Sequence, residues 1–101
     1  MAKFNLTILT PQGIVYDKDA ESIVAPGESG YFGILANHAP MIAATTSGVL
    51  KVTSGGEKFF AMGPGIVEVS RNNVNILADN AEDAKDEEEA KRKAKNVNKA
   101  S

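Results

Sequence analysis

Apolar and polar side chains alternate with a period of two along most of the first 78 residues. Phe4, Leu6 and Ile8, for example, alternate with Asn5 and Thr7. This pattern is typical of a β-strand with one buried face and one face in water. Segments rich in proline and glycine separate the apolar runs. We expect further strands at residues 14–16, 22–25, 31–35, 41–46, 49–53, 58–61, 66–69 and 74–78.

The number and spacing of these segments predict a mainly β protein, a β-sandwich of about eight to ten short strands. Residues 41–46 are compatible with a strand or a short helix, and the short, turn-bounded neighbours favour a strand. The clearest hairpin signal is Ser54-Gly55-Gly56-Glu57, because two glycines supply the backbone freedom of a tight turn. A chain of 101 residues is long enough for one core of this kind.

The pattern becomes helical beyond Asp79, where charged residues dominate. Asp83 is a candidate N-cap with Asp86 three residues later, and we expect one C-terminal α-helix. Three acid–base pairs four residues apart would support it: Glu87–Lys91, Glu88–Arg92 and Glu89–Lys93. Its apolar stripe is only Ala90, Ala94 and Val97, so we expect the helix to be loosely docked or frayed. The predicted organisation is a β-sandwich domain at 1–80 and a charged helical segment at 81–101.

Composition excludes several classes of function. The net charge is −2 and the pI is about 5.3, which argues against a nucleic-acid-binding protein with a basic face. The chain has no cysteine, which fits an intracellular protein held together by packing. No apolar run approaches the roughly 20 residues of a membrane helix, so we expect membrane association only through a partner.

Candidate chemistry is sparse. His38 is the only histidine, and no second histidine or cysteine is available for a metal site. We interpret it as an interface residue or as a loop histidine that satisfies local backbone. Gly27, Gly30 and Gly33 match neither a dinucleotide fingerprint nor a P-loop. The sequence therefore predicts no catalytic residue, no metal and no cofactor.

An alternative from another class is a free-standing β-sandwich carrier domain modified on a lysine. Lys18, between Asp17 and Asp19, is the candidate for lipoyl or biotinyl attachment on a tight turn. The sequence lacks Met-Lys-Met, and Asp19 replaces the small residue expected after such a lysine. These departures weigh against the carrier interpretation.

Three separated motifs in register resemble one protein family. They are Gly30-Tyr-Phe-Gly-Ile-Leu-Ala-Asn-His-Ala-Pro40, Gly65-Ile-Val-Glu-Val69 and Asn73-Val-Asn-Ile-Leu-Ala78. Over residues 4–82 the chain resembles the epsilon subunit of the bacterial and chloroplast F-type ATP synthase. The resemblance implies a non-catalytic central-stalk subunit that links the gamma subunit to the c ring and couples proton translocation to ATP synthesis. It also implies a peripheral protein on the cytoplasmic face of the bacterial inner membrane, or the stromal side of the thylakoid, that is monomeric when isolated.

The resemblance also assigns two surfaces. We expect the gamma-facing patch to comprise Thr10, His38, Ala39, Pro40, Met41 and Ala43. We expect the c-ring-facing loop to comprise Glu28, Ser29, Gly30 and Tyr31. Tyr31 stands where other members carry an acid, and Gly63-Pro64-Gly65-Ile66 departs from the commoner Gly-Gly-Gly-Phe. His38 and Met41 should share one exposed patch.

The C-terminal segment resembles a shortened form of the family's regulatory arm. Most epsilon subunits continue into two helices that can block rotation, whereas this chain has room for one, so we expect little or no self-inhibition. The family's ATP motif aligns with Lys85 to Ala90, where Lys85 replaces an apolar residue and Glu89 replaces the arginine. An acid in place of a phosphate-pairing base predicts no ATP site.

Overall fold

The computed structural model describes the backbone of residues 2–100 and the side chains of residues 2–95. Within this range the chain forms ten β-strands and one C-terminal α-helix, which confirms the predicted fold class. The strands are β1 (Phe4–Thr10), β2 (Gly13–Ala20), β3 (Ser22–Gly27), β4 (Gly30–Leu35), β5 (Met41–Thr45), β6 (Gly48–Thr53), β7 (Glu57–Met62), β8 (Gly65–Ser70), β9 (Asn73–Ala78) and β10 (Ala81–Ala84). The helix, α1, spans Glu87–Ala100.

The strands form a near-closed β-sandwich with two halves. One half has the order β4-β3-β6-β7-β10, and the other has the order β5-β8-β9-β1-β2. A single pair, Gly27 with Thr45, joins β3 to β5 and so joins the halves. All pairings are antiparallel except that of β1 with β9, which is parallel. The expected strand at 41–46 and the hairpin at Ser54–Glu57 are both present.

The core lies between the two halves and is built by the alternation seen in the sequence. Leu6 and Ile8 from β1 are fully buried, as are Leu50 from β6 and Phe60 from β7. The Tyr16 and Phe60 rings meet edge to face, with centroids 5.6 Å apart. Because interiors pack at the density of organic crystals, such a core makes a stiff body.

The C-terminal region differs from the prediction at its start. The expectation that helical structure follows Asp79 directly is wrong, because Ala81–Ala84 form β10, which pairs with β7. The N-cap is Asp86 and not Asp83: the Glu89 amide donates to the Asp86 carboxylate at 2.8 Å. In return, the Glu89 carboxylate accepts a hydrogen bond from the Lys85 amide at 3.0 Å, a variant of the capping box.

Helix α1 packs on the outer face of β6, β7 and β10. Ala90 is fully buried there, in a small apolar cluster with Val49, Phe59 and Ala84. The Lys93 ammonium adds a hydrogen bond of 2.8 Å to the Asp83 carbonyl. The helix thus packs on the sheet through Ala90 and Ala94, two small residues of its predicted apolar stripe.

Two of the three expected helical ion pairs form. Glu87 lies 3.9 Å from Lys91, and Glu89 lies 3.6 Å from Lys93. Among the described side chains, Glu88 and Arg92 do not pair. Val97, the third member of the predicted stripe, lies outside the residues whose side chains are described.

Candidate interaction surface

The outward face of β5, β8, β9, β1 and β2 carries a continuous line of apolar side chains, one from each strand. Strand pairing aligns Ala44 with Ile66, Ile66 with Leu77, Leu77 with Leu9, and Leu9 with Ile14. We call these five residues the apolar row. Ile14 is 62% exposed, and Ile66 and Leu77 are each 48% exposed. No described element of the chain covers this face, whereas α1 covers the outer face of the other half.

A second line of residues runs beside the apolar row on the same face. It consists of Ile42, Glu68, Asn75, Thr7 and Asp17, again one residue from each strand. We call it the Glu68 row. Ile42, at its end, is 72% exposed and is the most exposed of the large apolar side chains. The face therefore joins an apolar stripe to a polar stripe that includes a carboxylate.

The backbones of β8 and β9 approach each other closely next to Ile66 and Leu77, two inner members of the apolar row. A Cβ atom at Gly65 would collide with the Leu77 carbonyl oxygen and would lie 2.8 Å from the Ala78 Cα. Only glycine lets β8 approach β9 this closely at its start. A shallow depression of about 380 Å³ lies along the middle of the apolar row and is lined by Leu9, Thr10, Pro11, Pro64, Gly65, Ile66, Leu77, Ala78 and Asp79.

The expected gamma-facing residues lie in different environments in the structure. Thr10 lines the depression beside the apolar row. Met41 packs against the core, in contrast to the expectation that it shares an exposed patch with His38. Ala43 lies on the same face of β5 as Met41 and is half-buried. Their neighbours Ile42 and Ala44 are the exposed residues of this strand.

His38 lies in the loop between β4 and β5, next to Ala39 and Pro40. Asn37 before it adopts a left-handed conformation, with φ of 66°. The half-buried imidazole donates from Nδ1 to the Ala39 carbonyl at 2.7 Å. Ala39 and Pro40 are exposed. The imidazole thus stabilises the conformation of the loop backbone. In the described part of the chain, no group of three acidic, histidine or cysteine side chains could hold a metal ion.

The expected c-ring-facing residues form the tip of the β3–β4 hairpin. Gly27 pairs with Gly30, and Glu28 and Ser29 make an exposed two-residue turn between them. Gly30 has a φ of 124°, a region that L side chains rarely adopt. A depression of about 360 Å³ connects this tip to Ala43. The two predicted surfaces are therefore adjacent.

Tyr31 fixes the base of this hairpin. Its hydroxyl accepts a hydrogen bond from the Val49 amide at 3.2 Å. The hydroxyl lies so close to Gly48 that a Cβ there would be 2.8 Å away. Where other members of the resembled family are expected to carry an acid, this chain uses a tyrosine to tie the hairpin to β6.

The residues considered for modification and nucleotide binding have other surroundings. Lys18 lies in the middle of β2, opposite Leu6, and not on the tight turn that a carrier lysine requires. Asp86 and Glu89 of the aligned ATP motif are both engaged in capping α1. The Lys85 amide, donating to the Glu89 carboxylate, lowers the pKa of that group, and Lys93 lowers it further.

Sequence reasoning missed the apolar row. Its members come from five segments spread between residues 9 and 77, and only strand pairing places them side by side. The available signal was strand parity, which identifies Ile66 as outward with Glu68 and Leu77 as outward with Asn75. Among the described residues, no helix is long and apolar enough to cross a membrane.

The comparisons with known proteins agree with one another. Residues 3–84 match the profile described as "ATP synthase, Delta/Epsilon chain, beta-sandwich domain". The ATP synthase epsilon chain of Desulfitobacterium hafniense is 48% identical over 81 residues, which are 78% of this chain and 61% of that protein. The epsilon chain of Afipia carboxidovorans is 40% identical over 83 residues, 80% of this chain and 60% of that one. This chain thus spans about three fifths of the length of these relatives.

Solved structures share the fold. A cryo-EM structure of Euglena gracilis mitochondrial ATP synthase, showing OSCP, F1 and the c-ring, contains a chain that matches with a TM-score of 0.78 and 23% identity. The match covers 99% of this chain and 64% of that one. A central stalk and c-ring structure of the Tetrahymena thermophila enzyme matches with a TM-score of 0.66 and 20% identity, over 78% of this chain and 65% of that one.

Proposed function

Because the chain belongs to the ATP synthase delta/epsilon chain family, whose β-sandwich domain it matches over residues 3–84, we propose that it is a non-catalytic subunit of the central stalk. In this role it binds the gamma subunit, rests on the ring of c subunits and turns with both. It helps to couple proton translocation to ATP synthesis at catalytic sites on other subunits. It contributes shape and stiffness, and no bond is made or broken on its side chains.

The observation that supports gamma binding is the exposure of the apolar row. Ile14 is 62% exposed and Ile66 and Leu77 are each 48% exposed on one face, with Ile42 beside them at 72%. Soluble monomers rarely expose a large contiguous apolar patch unless it contacts a partner. Burial of such a patch in a complex gives the apolar centre that protein interfaces have. Thr10, which lines the depression beside the row, belongs to this surface.

The hairpin tip supports the second contact. Glu28 and Ser29 project from a two-residue turn whose base is held by the Tyr31 hydroxyl. This hydrogen bond ties the turn to β6, which restrains the position of the tip. We assign the tip to the c ring. A subunit placed between gamma and the ring lies peripherally at the cytoplasmic face of the bacterial inner membrane.

The direct test is complex formation with the gamma subunit from the same organism. We expect the two purified proteins to elute from a size-exclusion column as a one-to-one complex. We also expect membranes stripped of their own epsilon subunit to regain ATP-driven proton pumping when this chain is added. If the chain elutes alone and restores no pumping, the proposal is wrong.

A further inference from the structure

The face that carries the apolar row has an uneven distribution of charge. The ionisable side chains at its outward positions are all acids: Glu68 and Asp17 in the Glu68 row, and Asp19 beyond it on β2. No lysine or arginine occupies an outward position of these five strands. Lys18 lies on the other face of β2, and Arg71 lies in the turn between β8 and β9.

Glu68 is the acid closest to the centre of this face. It pairs directly with Ile42 across β5 and β8, and Ile66 lies two residues away on the same side of β8. Glu68 is exposed and takes part in none of the ion pairs among the described side chains. A carboxylate between apolar side chains loses water when a partner covers them, and this loss is unfavourable unless the partner supplies a cation.

We propose that this face binds an amphipathic helix of the partner, whose apolar side chains lie along the apolar row and whose lysine or arginine pairs with Glu68. The inference rests on the proposed function, in which the partner is the gamma subunit. It adds the form of the contacting element and names Glu68 as the residue that determines specificity.

The dimensions of the row fit a helix. Five strands about 4.8 Å apart make a line of about 19 Å, which matches about 13 residues of α-helix. Side chains on one helix face recur about every 5.4 Å, close to the spacing of successive strands. A helix crossing the strands can therefore contact each member of the apolar row in turn. Its flank then lies over the Glu68 row, where the acids favour a basic side chain.

Charge reversal at Glu68 tests the electrostatic part. At low salt, Glu68→Lys should lower the affinity for purified gamma about tenfold or more, because it places like charges together. Glu68→Gln should cause a smaller loss, and the wild-type association rate should fall as salt rises, whereas that of Glu68→Gln should fall less. The matched control is Glu88→Lys, the same change at an exposed position on α1, which packs on the other half of the sandwich. It should bind gamma as the wild type does.

The outcomes separate the two proposals. If wild-type protein binds gamma and Glu68→Lys binds equally well, the inference about Glu68 is wrong while the proposed function stands. If wild-type protein does not bind gamma, the proposed function is wrong. Circular dichroism should show that each variant folds as the wild type does, since these positions are exposed. Glu88→Lys should lower the unfolding midpoint slightly, because it removes an acid from the first turn of α1.

Photo-crosslinking tests the helical part. With a benzophenone amino acid in place of Leu77, mass spectrometry of the crosslinked complex should identify gamma residues spaced three or four apart. They should lie in a segment that also contains lysine or arginine. Crosslinks to alternate residues, as in a strand, or to a single loop would overturn the proposed helix without affecting the evidence for binding.

Discussion

Gly65 lies directly against the carbonyl oxygen of Leu77, at a point where no side chain can be added without moving the backbone. We expect Gly65→Ala to destabilise the fold by about 1–3 kcal/mol, in the range of overpacked sites. Urea denaturation followed by circular dichroism measures this. The control is Gly56→Ala, because a Cβ at Gly56 meets no atom within 4 Å. Equal stability of both variants would show that β8 can shift away from β9 at little cost.

Ile66 follows Gly65 in β8 and pairs with Leu77 of β9. This pair predicts an effect on binding. Ile66→Ser should weaken the complex with gamma by about 1 kcal/mol or more, since central apolar residues contribute most to interface energy. The fold should be almost unaffected, because the side chain is half-exposed. Isothermal titration calorimetry with purified gamma measures the change.

Leu35→Ser is the matched control for this variant. Leu35 is also a large exposed apolar residue, at 68%, but it lies on β4 in the other half of the sandwich. It should leave gamma affinity unchanged. If Leu35→Ser weakens binding as much as Ile66→Ser does, the contact surface is not the apolar row.

Local alternation was sufficient to predict β1 to β9, because the residues of each buried face lie within one short segment. It was insufficient for the surface, because the apolar row depends on register between distant segments. The parallel pairing of Leu9 with Leu77, for example, joins the first strand to the ninth. In β5 all residues from Met41 to Ala44 are apolar, so polarity did not distinguish the core face from the outward face. The sequence did not predict β10, because Ala81–Ala84 is short and polar. Its pairing with β7 determines its structure in place of the helical pattern of the local sequence.

The Glu89 carboxylate at the start of α1 predicts a dependence of stability on pH. The Lys85 amide and Lys93 both lower its pKa in the folded protein. A lowered folded pKa means that the stabilisation is present above the unfolded pKa and is lost as pH falls through the folded pKa. Glu89→Gln should therefore lower the thermal midpoint at pH 7, and the difference from wild type should shrink on acidification below the ordinary carboxyl range of about pH 4.

Glu88→Gln provides the comparison for this titration. Glu88 is exposed on the same helical turn, and the structure gives it no ion pair among the described side chains. At pH 7 its midpoint should fall less than that of Glu89→Gln, because it is the Glu89 carboxylate that accepts the Lys85 amide hydrogen bond. A Glu89→Gln deficit that stays constant from neutral to acid pH would mean that the charge of Glu89 does not stabilise the helix start.

Ala90 determines how closely α1 can approach the sheet. It is fully buried where the helix meets the cluster of Val49, Phe59 and Ala84, so a larger side chain must displace its neighbours. Ala90→Leu should weaken docking by about 1–3 kcal/mol through overpacking, although leucine is nearly as good a helix former as alanine. Hydrogen exchange should then show faster exchange of the α1 amides, with the strands unchanged. The control Arg92→Leu places a leucine at an exposed position of the same helix and should keep wild-type protection. Unchanged exchange in Ala90→Leu would show that the helix is held chiefly by Lys93 and its hydrogen bond to the Asp83 carbonyl.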